Sequence, residues 1–213
     1  MGKITKFFLN CKIDLSHKVF EPRIETEFWV RKAIREIKNL KLKIKKLTIL
    51  DIFAGSGCIG IAVLKNIKKA RVDFADISNK AIKQIKVNLK LNKIPKKRYK
   101  IYKSNLFKNL KSKRYNIIFA NPPYVALNRI SEVQKEVLQK EPATALFAGK
   151  DGMFWIEKFL KEAKQHLNKR GAIYMEFDPL QKEKIEKILK KEGLKYSFRK
   201  DQFKKYRWLK TSP

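Results

Sequence analysis

Asn121-Pro122-Pro123-Tyr124 is the stretch whose residue types and spacing could do chemistry. It follows residues 115–120 (YNIIFA), a short apolar run that reads as a buried strand. Each proline holds its φ at about −65° and offers a carbonyl but no N–H. Pro122 also pushes Asn121 into an extended conformation. The corner so built presents a side-chain amide oxygen, an unpaired backbone carbonyl and a ring face. Two acceptors beside a ring suit a planar –NH2 group, its hydrogens held and its flat face stacked. The amide of Gln or Asn meets that description, and so does the exocyclic amine of adenine or cytosine. A plain strand-ending turn would also use Asn-Pro, so the rest of the chain must decide.

The elements that position this corner alternate between strand and helix. Residues 47–53 read as a buried strand, 54–57 as a turn and 58–66 as an apolar helix. Within them, residues 55–60 have the spacing G-x-G-x-x-G, which lets backbone approach a ligand at a helix N-terminus. Residues 72–75 form a second strand ending in Asp76, about 25 residues after Asp51, where an acid can accept from both hydroxyls of a ribose. Ser78 is the expected N-cap of a helix reaching Leu91. Residues 99–103 are a third strand, leaving Ser104, Asn105 and Leu106 at its end, and the fourth strand delivers Asn121. Residues 151–167 show helical periodicity, 171–177 a fifth strand, and Asp178-Pro179 starts another helix. Two last strands cover 194–198 and 207–209. Ahead of all this, residues 1–20 read as a β-hairpin with apolar positions at Ile4, Phe7, Leu9, Ile13 and Leu15. A helix follows, with Phe28, Val30, Ala33, Ile34 and Ile37 on one face. A second helix is expected over 130–139, within a long connection from Pro122 to Lys150 of the kind that is usually functional or disordered. The pattern predicts an α/β fold with a mainly parallel sheet, whose ligands lie beyond the carboxyl ends of the strands. Gly55, Asp76, Leu106 and Asn121 all fall at that edge.

Composition sets the bounds. A chain of 213 residues with 44% hydrophobic residues can bury one proper core. Its net charge of +32 implies an anionic partner such as RNA, a ribosome or an acidic protein, although a coding bias toward Lys would produce the same excess. Two isolated cysteines, Cys11 and Cys58, and two isolated histidines, His17 and His166, argue against a disulfide scaffold or a metal centre and fit the reducing cytosol. His166 is expected at a helix end, capping it or facing solvent. The sequence shows no signal-peptide pattern and no apolar run of the roughly 18 residues that span a bilayer.

G-x-G-x-x-G and a later acid could also mean a dinucleotide, but hydride transfer has no use for an amine-holding corner after the fourth strand. S-adenosylmethionine suits the whole edge: ribose at Asp76, adenine near Leu106, methyl facing Asn121.

With these residues in view, the chain resembles the class I methyltransferases and, within them, the release factor glutamine methyltransferases (the HemK-type family). Residues 22–27 (PRIETE) are similar to that family's P-R-P-E-T-E, with Ile24 for the second proline. Residues 51–57 (DIFAGSG) resemble its donor loop, with Phe53 where glycine is usual. Asp76 and the N-P-P-Y corner match directly. Residues 141–146 (EPATAL) with 149–152 (GKDG), and Arg199-Lys200-Asp201 with Arg207, are similar to two later segments. N-P-P-Y alone is shared with enzymes that methylate adenine or cytosine amines.

The resemblance, which covers about residue 18 to the end, implies a Rossmann-like seven-stranded sheet with helices on both faces and a methyltransferase domain over 21–213, behind the hairpin that alternation gives for residues 1–20. It implies a donor site of Phe53, Ala54, Gly55, Ser56, Gly57, Asp76, Asn105, Leu106 and Asn121. It implies an acceptor site of Asn121, Pro122, Pro123 and Tyr124. Arg23, Glu25 and Glu27 read as shaping the entrance, although the two acids equally suit a helix start, and Glu141 reads as a brace for the long connection or an exposed charge. The substrate implied is a glutamine of a peptide chain release factor, at its Gly-Gly-Gln tip, methylated in the cytoplasm without a metal. Because P-R-x-E-T-E comes early, the family's usual N-terminal helical domain is expected to be missing, and the basic surface to take up docking.

Overall fold

A computed structural model of the chain describes residues 5–40, 46–132, 142 and 146–213. Seven strands form one sheet: β3 (Leu47–Ile52), β4 (Ala70–Asp76), β5 (Tyr99–Lys103), β6 (Tyr115–Ala120), β7 (Leu167–Glu176), β8 (Lys195–Lys200) and β9 (Tyr206–Ser212). Their order is β5-β4-β3-β6-β7-β9-β8, parallel from β5 to β7 and antiparallel where β9 joins β7 and β8. β3 and β6 form because Ile, Leu and Phe fill both faces of a central strand, the pattern a doubly covered parallel sheet needs, whereas β5 is the sheet's half-exposed edge.

On one face lie α1 (Ile24–Asn39), α2 (Cys58–Asn66) and α3 (Asn79–Leu91), and on the other α4 (Phe154–Ala163) and α5 (Lys182–Lys191). The spacing of α1 suggests Phe28 for its inner stripe. The fully buried ring is instead Trp29, 6.0 Å from Phe119 and 6.2 Å from Trp208. Burying such a side chain stabilises the fold by about 2–3 kcal/mol. The expected helix over 151–167 is shorter, because residues 164–166 tighten into a 3-10 turn and Leu167 already pairs in β7. There His166 neither caps nor points to water alone: its ring stacks on Phe107 at 4.2 Å. Of the helix expected over 130–139, Leu127–Glu132 is a 3-10 turn and the remainder lies outside the described residues, as does Glu141.

The N-terminal hairpin pairs β1 (Thr5–Phe8) with β2 (Cys11–Asp14). Alternation points Phe7 inward, but Phe8 is buried and Phe7 exposed; Ile4 lies outside the described residues. The free edge of β2 is met by side-chain amides spaced four apart on α3 and its C-cap. Asn92 accepts from the Lys12 N–H and donates to its carbonyl, Asn88 does the same for Asp14, and Gln84 accepts from the His17 N–H. Pairing an edge in this way satisfies groups that burial would otherwise strand. Asn88 also donates to the Ser56 carbonyl, tying the hairpin to the turn after β3.

In the C-terminal hairpin, the buried Asp201 carboxylate accepts from the N–H groups of Phe203 and Lys205 and pairs with Arg207 at 3.2 Å. Asp201 and Arg207 of the Arg-x-Asp…Arg segment thus lock the turn, while Arg199 pairs with Glu36 at 3.4 Å.

Candidate active site

Strand order alone sets the expected residues in a row. β4, β3 and β6 are neighbours, with Ile52 opposite both Ala75 and Ala120. The chain leaves them at one level, through Asp76, the 53–57 turn and Asn121. At about 4.8 Å per strand, Asp76 and Asn121 flank the turn from strands roughly 10 Å apart.

All three open onto one cleft of about 790 Å³, a size suited to a small-molecule ligand. Phe53, Ala54, Gly55 and Ser56 line it, with Asp76, Asn105 and Leu106. So do Asn121, Pro122, Pro123 and Tyr124. Arg23 reaches the same cleft, its guanidinium 5.0 Å from the Phe20 ring centre. Two expected residues are not among those lining it. Gly57 (φ 77°) starts α2, and a Cβ there would press on Ile85 at 3.2 Å; Glu25 lies in the first turn of α1.

The turn after β3 is left-handed at both Phe53 (φ 59°) and Gly55 (φ 54°). At Gly55 a Cβ would meet only Phe20 Cβ and the Phe53 carbonyl, both at 4.0 Å, so a side chain would stand in the cleft. For Phe53 the same conformation costs roughly 1–2 kcal/mol. Its ring offsets part of this by edge-on packing against Phe159 (5.9 Å) and Trp155 (6.4 Å).

Asp76 is held by the turn it serves. Its Oδ2 accepts from the Gly55 N–H (2.9 Å) and its Oδ1 from the Ser78 N–H (2.8 Å). Each oxygen keeps a lone pair for a further donor such as a ribose hydroxyl. Burial raises its pKa, while the Ser78 and Gly55 N–H groups pull it down. Beside it the Ser104 hydroxyl braces its own turn, donating to the Leu106 carbonyl (2.7 Å) and accepting from the Asn109 N–H (3.0 Å). Asp51 lies inside β3, ahead of the turn. Its Oδ2 accepts from the Gly60 N–H (2.8 Å), but its Oδ1 is buried without a partner. Burial pushes this carboxyl up to about 8 against the pull of Gly60. A buried carboxyl with one oxygen orphaned fits a donor that carries positive charge, which would draw it toward its ionised form.

At the corner itself, Asn121 is half-buried, and among the described residues no hydrogen bond reaches its amide or the Pro122 carbonyl. Tyr124 is held elsewhere. Its hydroxyl donates to Glu176 Oε1 (3.2 Å), and its carbonyl accepts from Gln181 Nε2 (3.0 Å). Burial and the Glu176 carboxylate drive the phenol pKa well above its usual value. Glu176 also accepts from Trp29 and Thr26, so Thr26 of P-R-x-E-T-E reaches the corner through it. Sequence reading missed Glu176 and Gln181; an acid ending an otherwise apolar strand was the one available signal.

The profile of the Methyltransferase small domain family matches residues 36–156. A release factor glutamine methyltransferase of Flavobacterium psychrophilum is 36% identical over 212 residues, covering 98% of this chain and 72% of its own length. One from Thermodesulfovibrio yellowstonii is 34% identical over 182 residues, 85% of this chain. The chain spans 64% of that relative's length. Among solved structures, the hMettl16 catalytic domain in complex with an RNA hairpin shares the fold, with a TM-score of 0.68 at 14% identity over 93% of this chain and 74% of that one.

Proposed function

The chain belongs to the release factor glutamine methyltransferases, and on that premise we propose that its cleft moves a methyl group from S-adenosylmethionine to the side-chain amide nitrogen of a glutamine, at the Gly-Gly-Gln tip of a peptide chain release factor. The observation that carries this reading is the pair of free acceptors, the Asn121 amide oxygen and the Pro122 carbonyl, one strand away from the glycine turn.

When bound, S-adenosylmethionine supplies an electrophilic methyl on a sulfonium. Asp76 would hold its ribose, Asn105 and Leu106 its adenine, and the backbone of 53–56, with Asp51 beneath, its charged end. An amide nitrogen is a poor nucleophile because its lone pair is spread into the carbonyl. Asn121 and Pro122 act on that weakness by accepting both of its N–H bonds, which fixes the nitrogen in line for attack. The same two oxygens stabilise the positive charge that grows on it and hold the departing proton until water at the cleft mouth takes it. Tyr124 and Pro123 confine the amide plane, and Arg23 borders the entrance. The two buried free thiols, Cys11 and Cys58, suit a reducing compartment such as the cytoplasm.

A second reading keeps the same corner but gives it an adenine or cytosine amine in RNA or DNA, favoured by the charge of +32. Labelled methyl donor, offered in parallel to purified release factor, RNA and DNA, separates the two. The expected result is label on the release factor; label on nucleic acid alone overturns it.

A further inference from the structure

We propose that Glu176 is a positioning residue, which locks Tyr124 against α1 and thereby aims the Asn121–Pro122 acceptor pair. This rests on the methyl-transfer reading of the cleft.

Glu176 ends β7 and is 1% exposed. A strand end facing the core gains nothing from a carboxylate, since an apolar side chain of the same volume would pack there without needing partners. Here all the partners are present and come from two other segments. Oε2 accepts from Trp29 Nε1 (2.6 Å) and Thr26 Oγ1 (2.7 Å) on α1, and Oε1 accepts from the Tyr124 hydroxyl (3.2 Å). The carboxylate therefore joins the first turns of α1 to the acceptor corner.

The other end of Tyr124 is fixed from the same stretch of chain. Gln181 Nε2 donates to the Tyr124 carbonyl and to the Gly152 carbonyl, both at 3.0 Å. Its Oε1 accepts from the Asp178 N–H (3.0 Å), so the side chain cannot swing away without breaking its own cap. Between Tyr124 and Asn121 stand two prolines with φ already set. Little freedom remains in that short span, so fixing the tyrosine at ring tip and carbonyl fixes where Asn121 and Pro122 point. Glu176 touches neither donor nor acceptor; it acts through Tyr124.

The test is a double-mutant cycle with Glu176→Gln and Tyr124→Phe, both close in shape to the originals. Single-turnover methyl transfer to release factor and donor Kd by calorimetry are measured for each. A carboxylate holds a hydroxyl about twice as strongly as an amide does. Glu176→Gln is therefore expected to slow transfer about threefold to tenfold, and Tyr124→Phe about tenfold. Donor Kd stays within about twofold in both. In the Tyr124→Phe background, Glu176→Gln should add nothing further. Equal slowing by Glu176→Gln in both backgrounds, no slowing in either, or a loss that follows donor Kd would overturn the proposal.

An arm independent of catalysis uses 13C-tyrosine-labelled protein, with the Tyr124 Cζ line assigned by its loss in Tyr124→Phe. That line should move in Glu176→Gln; a line that stays put removes the contact and the proposal with it. If the wild-type protein methylated no release factor, the functional reading would fall, while the Cζ line would still judge the lock.

Discussion

Gly152→Ala probes the corner from outside the cleft lining. Gly152 has φ 77°, and an added Cβ would lie 2.6 Å from Gln181 Nε2 and 3.2 Å from the Tyr124 carbonyl carbon, closer still to its oxygen. Left-handed backbone costs an L-residue roughly 1–2 kcal/mol. The overlap also drives Gln181 off the Tyr124 and Gly152 carbonyls, at about 1 kcal/mol for each lost bond. The sum is about 3–4 kcal/mol, and at roughly 2–4 °C per kcal/mol for a domain of this size the unfolding midpoint should fall by about 6–16 °C. What survives folding carries Tyr124 displaced, and a misplacement on the order of 1 Å at a reacting centre can cost about 10²-fold in rate. Thermal unfolding and single-turnover methyl transfer, measured on the same preparation, read both effects. An alanine variant with the wild-type midpoint and rate would refute the idea that Gly152 and Gln181 hold the corner.

Three further outcomes can be checked on the same protein. Asp76→Asn should weaken donor affinity about tenfold or more by removing an acceptor from a part-buried oxygen pair; an unchanged dissociation constant would take Asp76 out of the site. Folded, Asp51 keeps its proton to about pH 8, against an ordinary 3.8. Its contribution to stability is thus greatest below the lower value and is lost as pH rises through the upper one, and a cationic donor that favours the ionised form should bind more tightly from about pH 7 to 9. Calorimetry showing flat donor affinity across that window would contradict this. With a net charge of +32, release-factor KM should rise steeply between low and physiological salt; salt-independent KM would leave the charge without a role in docking.

Residues near in sequence were the easiest to interpret. β3, β4 and β6 could be seen because runs such as Leu47–Ile52 are apolar and end in Gly, Asp or Asn, which also named the donor edge. Adjacent apolar pairs were harder. Phe7 and Phe8 differ by one place, and a one-residue shift in a strand exchanges its faces; the left-handed Leu9 and Asn10 set the turn that selects Phe8. Phe28 and Trp29 posed the same ambiguity on α1. What could not be seen were roles created by contacts distant in the chain. Thr26 and Glu176 meet across 150 positions, and Tyr124 and Gln181 across 57. Nothing in the local pattern of either partner signals such a meeting. Glu25 shows the reverse limit, since a motif position borrowed from family resemblance need not line the cleft.

The most direct test of the acceptor corner is Asn121→Ala, followed by single-turnover methyl transfer to release factor and by donor Kd. Losing one transition-state hydrogen bond should slow transfer by about 10²–10³-fold, far more than donor affinity changes. A variant that still methylates release factor at close to the wild-type rate would contradict the account.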